Sequence, residues 1–205
     1  EEITFLVEYP TAFYGEFEED YVKLPKEVVT TPMKEHQRYF PVSKDGKLLP
    51  YFIAVRNGDS HRIDIVKAGN EKVLKARLAD ALFFYKEDTK KPLESFVDKL
   101  QTVVFQAKLG TVYDKSLRID MSESAKNTQR AAKLCKADLV TNMVFEFTEL
   151  QGIMGRDYAK VGGENEEVCQ AIFEHYLPRY AGDILPETNA GIALSIADKL
   201  DSIAG

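Results

Sequence analysis

The spacing between apolar residues changes once along this chain, from every second residue to every third or fourth, and that change restricts the fold more than any other feature. In "EITFLVEYP", Ile3, Phe5, Val7 and Tyr9 share one face while Thr4, Leu6 and Glu8 take the other. This is the alternation of a half-buried strand, and Pro10 keeps it from extending as a central ladder. Further on, "RYFPVS" and "KLLPYFIAVRN" flank Lys44-Asp45-Gly46. An Asp-Gly pair between strand-forming runs predicts a tight hairpin, with Pro41 and Pro50 at edge or bulged positions. Between strand and hairpin, a short helix is expected after Leu24, with Pro25 at its first position and Pro32 at its end.

From Gly69 the spacing is helical. Asn70 is read as the N-cap of "EKVLKARLADALFFYKED", in which Leu74, Leu78, Leu82 and Tyr85 line one stripe and Lys72, Lys75 and Arg77 lie off it. Pro92 opens the next predicted helix, with Leu93, Phe96, Val97, Leu100, Val103 and Val104 inward, and Gly110 stops it. Helices are also predicted around residues 129–148, 165–177 and 189–204, with "GIMGRDYAKVGGEN" and "PRYAGDILPET" as ordered loops. The fold class expected is α+β: a mixed portion over residues 1–68, the C-terminal part of a larger domain, then an all-helical portion over 69–205.

The 205 residues carry 27 basic and 33 acidic side chains, a net charge of −6. That total speaks against nucleic acid until the chain is divided. Residues 1–50, 51–119 and 120–205 have balances of −4, +4 and −6. A basic middle can attract phosphate despite a negative total, because screening confines each charge to about 8–10 Å. The two cysteines, Cys135 and Cys169, have no zinc-ribbon spacing and read as reduced core residues. No apolar run approaches membrane-span length. "EEITFLVEYP" has neither an initiator Met nor a basic leader, so an excised piece of a cytosolic protein is expected.

Chemistry is restricted by the three histidines, His36, His61 and His175, which are far apart and in no HExxH or Cys-His zinc pattern. No phosphate-binding or nucleophile-elbow glycine motif appears, and the glycines at 152/155 and 162/163 read as turns. One acidic residue stands out. On a helix Asp138 lies in line with Ala131 and Cys135, near the apolar stripe, where a lone carboxylate is costly without a partner, a metal or water. With His175 and Asp198 from later helices, it has the layout of a metal-dependent phosphohydrolase of the HD class, named for an adjacent His-Asp ligand pair. Here Ala137 precedes Asp138, and Lys115 stands where such domains place an earlier histidine. A methyl group and an ammonium replace two neutral ligands. Two readings follow: a relic HD-like fold, or an active phosphohydrolase using Asp138, His175 and Asp198.

Several long segments bear a family resemblance. "TTPMKEHQRYFPV", "GKLLPYFIAVRNG", "GNEKVLKARLADALFFYKED", "KLQTVVFQAKLGTVYDK", "CKADLVTNMVFEFTELQGIMG", "HYLPRYAGDILP" and "IADKLDSIAG" together resemble the middle of the β subunit of bacterial heterotetrameric glycyl-tRNA synthetases. The resemblance implies an HD-like helical domain that has lost its metal set and is truncated here at its C-terminus. It also implies no catalytic residue and no metal in this piece, with glycine, ATP and Mg used at the α-subunit active site. The implied partners are tRNA(Gly) and the α subunit in an α2β2 assembly, in the cytoplasm and off any membrane. Relative to that family the connection "DMSESAKNTQ" is short, and the C-terminus stops before an anticodon-binding domain.

Structured RNA is gripped through phosphates and 2′-hydroxyls and read at unpaired bases, so basic residues beside aromatics are the useful pattern. "MKEHQRYF" offers Lys34, His36, Gln37, Arg38 and Tyr39, and "AVRNG" adds Arg56 and Asn57. Lys72, Lys75 and Arg77 form a second candidate face, and Arg118, Arg156 and Arg179 a third. A further alternative makes the chain a docking module for the α subunit.

Overall fold

The computed structural model describes residues 5–120 and 126–204. It divides into two compact units, Glu1–Phe84 and Tyr85–Gly205, so the division falls inside a long helix and not at the expected junction after residue 68.

In the first unit, strands β1 (Pro10–Glu16), β2 (Phe40–Lys44) and β3 (Lys47–Asn57) form an antiparallel sheet in the order β1-β3-β2. The hairpin forms where expected: Asp45 and Gly46 both take positive φ, 52° and 77°, the mirror-image turn that matches strand twist. Pro41 lies on the edge strand at a register shift between Pro41 and Ser43, and this irregularity also accommodates Pro50 opposite. The first strand is displaced from its predicted place. Ile3 and Thr4 lie outside the described residues, and Phe5 to Glu8 form no strand, with Phe5 88% exposed. The run that pairs is Pro10–Glu16, because Gly15 lets the buried Phe52 ring occupy the space a Cβ would need.

Helix α1 (Lys26–Thr31) forms after Leu24 as predicted, but Pro25 is its N-cap and not its first residue, and Pro32 does not end it. The chain continues through a π-helical turn, Pro32–His36, widening where the proline N–H is missing. Helix α2 (Ile63–Asp88) starts before Gly69 and runs through Asn70, so Asn70 is no N-cap. Its side chain donates to the Val66 carbonyl at 2.7 Å and accepts from the Tyr39 hydroxyl. A side chain with partners one turn back and on another element has no need to cap.

The second unit is helical with one small hairpin. The helix expected to reach Gly110 is a 3₁₀ segment, Leu93–Thr102, followed by strands β4 (Val104–Gln106) and β5 (Gly110–Thr111). Val104, expected inward, is 71% exposed. Helix α3 (Val112–Ile119) begins with a complete capping box between Thr111 and Asp114. The single helix expected over 129–148 is broken into α4 (Lys126–Leu134), a 3₁₀ turn (Ala137–Val140) and α5 (Asn142–Glu146). Thr141 makes the break, because its hydroxyl donates to the Asp138 carbonyl at 2.6 Å and accepts from the Val144 N–H.

The segment read as the loop "GIMGRDYAKVGGEN" contains helix α6 (Ile153–Val161), which Gly152 opens at φ 76°. Helices α7 (Glu166–Glu174), capped by Asn165, and α8 (Asn189–Ala204) form as predicted. Leu134, Met143, Phe147, Leu150, Met154 and Ile172 are fully buried in this unit. Each such side chain contributes about 1.5–3 kcal/mol relative to exposure. Asp88 is also buried, and it accepts hydrogen bonds from Asn142 N, Met143 N and Tyr158 Oη at 2.9–3.1 Å. Such a carboxylate satisfies the orphan N–H groups of the short α5.

Candidate functional site

The helical unit buries a polar cluster. Asp138 is fully buried but sits in the 3₁₀ turn, not on one continuous helix with Ala131 and Cys135. Its Oδ2 accepts the N–H of Gly152 at 2.6 Å and of Gly155 at 3.0 Å. The glycines that read as turn residues are thus the pair that clasps this carboxyl. At Gly155 a Cβ would stand 2.8 Å from Ile172 Cγ2 and 3.0 Å from Asp138 Oδ2, so the close approach requires glycine. Burial outweighs the two N–H bonds and pushes the Asp138 carboxyl up to about 6.

His175 follows α7 and is fully buried. Its Nδ1 lies 2.5 Å from the Ile172 carbonyl, an acceptor only, so Nδ1 carries the proton. Among the described residues, His175 Nε2, Asp138 Oδ1 and Tyr176 Oη are buried without a hydrogen-bond partner. Burial, reinforced by Lys136, holds the His175 pKa well below its ordinary value.

Asp198, on α8, faces two ammonium groups: Lys136 Nζ at 3.1 Å and Lys115 Nζ at 3.3 Å from the same carboxylate oxygen. Both lysine side chains are nearly inaccessible, at 6% and 4% exposure. Lys115 also donates to Asp201 Oδ2 at 3.1 Å and Ser202 Oγ at 2.9 Å, and Lys136 lies 4.2 Å above the Tyr176 ring. Lys136 was not singled out from the sequence. The signal available was a lysine in "LCKADL", flanked on both sides by residues that the core claims.

A divalent cation needs several ligand atoms with lone pairs free to point at it. Here Ala137 is a buried methyl, Asp198 is charge-paired with two lysines, and one Asp138 oxygen is committed to backbone N–H groups. The residues present do not fit a metal. Among the described residues no group of three or more His, Cys, Asp or Glu is arranged to hold one. Cys135 and Cys169 are free and buried, and burial pushes the Cys135 thiol up to about 12, so neither is poised as a nucleophile.

The first unit carries a cleft of about 280 Å³ lined by the polar side chains Gln37, Arg38, Arg56 and Asn70 together with apolar ones that include Phe13 and Ala54. The tertiary structure therefore brings together two predicted segments that are distant in sequence. Arg38 is held at φ 57°, an uncommon conformation for a residue with a Cβ, between the π-helical turn and β2. Arg56 Nη1 is anchored on the His61 carbonyl at 2.7 Å. Lys34 is exposed on the same turn, His36 is half-buried, and Asn57 accepts the Tyr9 N–H.

The second predicted face, on α2, is different in charge. Lys72 and Lys75 line a wider depression of about 470 Å³ together with Lys67 and three glutamates, Glu16, Glu18 and Glu71. Lys75 pairs with Glu18 and Lys67 with both Glu16 and Glu71. Arg77 is half-buried. In the helical unit Arg118 is bonded to Asp201 at 2.6 Å, Arg179 to Asp183 at 3.0 Å, and Arg156 lies over the Phe173 ring at 4.7 Å. These three arginines have partners within their own unit.

Fold and sites define the class as an α+β chain whose helical unit buries a charge-paired polar cluster. The chain belongs to the glycyl-tRNA synthetase beta subunit family, whose model matches residues 1–205 and which is the family its segments resemble. It is 73% identical to the glycine–tRNA ligase beta subunit of Clostridioides difficile (strain 630), all of this chain aligning with 31% of that protein. It is 60% identical to that of Desulforamulus reducens and 52% to that of Bacillus subtilis (strain 168), again over the whole chain and 31–32% of each relative. The chain thus spans about a third of the length of the curated relatives it matches. The match to the C. difficile protein runs over 216 positions against 205 residues here, so that relative carries residues this chain lacks.

Proposed function

We propose that this chain is a segment of a glycine–tRNA ligase β subunit that binds and positions tRNA(Gly) for ATP-dependent aminoacylation at an active site on the α subunit. The observation that carries the reading is the family match along residues 1–205, supported by 73% identity to a protein of that name. In this role the chain makes and breaks no bond. It raises the local concentration and fixes the orientation of the acceptor end, an effect that needs surface and rigidity and no nucleophile. The buried cluster around Asp138 serves as scaffold in an HD-like fold. Two ammonium groups beside Asp198 supply the positive charge that a metal would bring, and this argues against the phosphohydrolase reading. ATP and Mg are used at the α subunit within an α2β2 complex, and the setting is the cytoplasm. Among the described residues no helix is long and apolar enough to cross a membrane.

The test is aminoacylation by the full-length complex carrying Arg38→Glu and Arg56→Glu together. The KM for tRNA should rise while the KM for glycine and ATP holds, and the salt dependence of tRNA binding should flatten. A tRNA affinity and salt slope identical to wild type would refute the reading for this surface.

A further inference from the structure

We infer that the cleft between Arg38 and Arg56 is a receptor for a single unstacked nucleobase of a bound RNA, with Asn70 and Gln37 reading its edge and the two arginines holding its backbone. The inference rests on the tRNA-binding reading above and goes beyond it by assigning a base-specific contact to particular residues.

Size comes first. At about 280 Å³ the cleft lies just under the roughly 300–1,000 Å³ of small-molecule sites, suiting one ring system and not a whole dinucleotide. Its walls are of two kinds. Phe13, Ala54, Val55 and Val66 offer apolar surface against which a flat ring can lose water, and Gln37, Arg38, Arg56 and Asn70 add polar groups to the same lining. A phosphate-only contact would need no apolar floor, and an apolar peptide would not call for two arginines. An unpaired base attached to a charged backbone uses both.

Asn70 supplies the reading chemistry. One amide hydrogen donates to Val66 O and the carbonyl oxygen accepts from Tyr39, so the amide plane is fixed and cannot flip. An amide has two N–H groups and two lone pairs. Beyond these two bonds one N–H and one lone pair remain, a donor and an acceptor of the kind that pairs with the edge of a base and adenine above all. Tyr39, which orients Asn70, is itself fixed by stacking on Phe52 at a centroid distance of 4.6 Å. The geometry is therefore set before any ligand arrives, which lowers the ordering cost of binding.

The arginines flank this amide from two different elements. Arg56 spends one N–H on the His61 carbonyl and has the remaining edge of its guanidinium for an oxygen ligand. Arg38, 4.0 Å from Glu35, is carried on the left-handed residue that turns the chain into β2. A side chain presented by a strained residue in the lining of a cleft is a common signature of a binding position.

The experiment uses the full-length α2β2 complex and tRNA(Gly), with binding measured across a salt series and dimethyl sulfate probing of the bound tRNA. Gln37→Ala in the lining and Val55→Trp, which fills the cleft, should each weaken tRNA binding by roughly tenfold with the salt slope unchanged, because a base contact releases no counterions. One base should be shielded from dimethyl sulfate in the wild-type complex and become reactive in both variants. Affinities within twofold of wild type, while Arg38→Glu with Arg56→Glu flattens the slope, would overturn the base receptor and leave the tRNA reading standing. No change in any variant would overturn both. Thermal unfolding of each variant guards against a fold defect, and Gln37→Ala, at a half-buried position, decides the matter if Val55→Trp fails to fold.

Discussion

Asp138 gives up solvent for the N–H groups of Gly152 and Gly155, and burial still pushes its carboxyl from 3.8 up to about 6. Between these values the folded chain binds more protons than the unfolded one, so this group's contribution to stability is present below about pH 4 and is lost as pH rises through 6. The gap corresponds to about 3 kcal/mol. His175 works in the opposite sense: its depressed pKa costs stability as pH falls through 6.5, where the unfolded imidazole takes up a proton and the folded one does not. Asp138→Asn in the full-length β subunit should therefore gain on wild type between pH 4 and pH 7, read as a change in the difference of their unfolding midpoints. A difference that stays flat with pH would contradict the assignment. The lysine pair makes a second residue-scale prediction. With both Lys115→Met and Lys136→Met, the Asp198 carboxylate, 13% exposed, loses both ammonium groups that pair with it, and the loss should be about 3–5 kcal/mol by urea unfolding at pH 7. Either single substitution should cost clearly less, since one ammonium remains.

At the scale of elements, two glycines within helices make opposite predictions. Gly155 lies inside α6 against Asp138 and α7, with 2.8 Å to Ile172 Cγ2 for any added Cβ, so Gly155→Ala should lower stability by about 1–3 kcal/mol. Gly69 lies inside α2 with nothing within 4 Å of the position of a Cβ, so Gly69→Ala should raise it by about 0.5–1 kcal/mol through helix propensity alone. Differential scanning fluorimetry of the two variants checks both signs at once. Equal effects would mean that the α6 contact does not constrain packing. The same comparison explains why elements were misjudged. Gly69 read as a boundary because glycine weakens a helix, and Gly152 and Gly155 read as a loop for the same reason, yet α2 tolerates the first and α6 requires the others. Thr141 worked the other way, since an apolar run of helical spacing hides a cap whose hydroxyl bonds local backbone.

For the molecule as a whole, the charge map decides which face suits the proposed RNA contact. The balance of +4 over residues 51–119 marks a basic region, but much of it is spent on neighbours: Lys75 on Glu18, Lys67 on Glu16 and Glu71, Arg118 on Asp201, Lys115 on Asp198 and Asp201. Charge reversal at Lys72 and Lys75 should therefore change tRNA affinity of the full-length complex by less than a factor of about three, against at least tenfold for Arg38→Glu with Arg56→Glu, as measured by filter binding at low salt. Equal losses would put the α2 face in the RNA interface as well. From residues alone, "MKEHQRYF" and "AVRNG" were visible as basic and aromatic segments. That they line one cleft with Asn70 was not, because Gln37, Arg56 and Asn70 meet only once β2, β3 and α2 have packed.

By itself the sequence determined what neighbours along the chain dictate: the Asp45-Gly46 hairpin, α7, α8, the α+β class and the family. Tertiary structure decided which carboxyl is clasped and by what, that Lys136 joins Lys115 at Asp198, and which basic residues have partners. The physical reason is range. Turn geometry, capping and periodicity act over a few residues and leave their mark in local order. Burial and charge pairing join groups as far apart as Lys115 and Asp198, 83 positions along the chain, and only the folded packing brings those together.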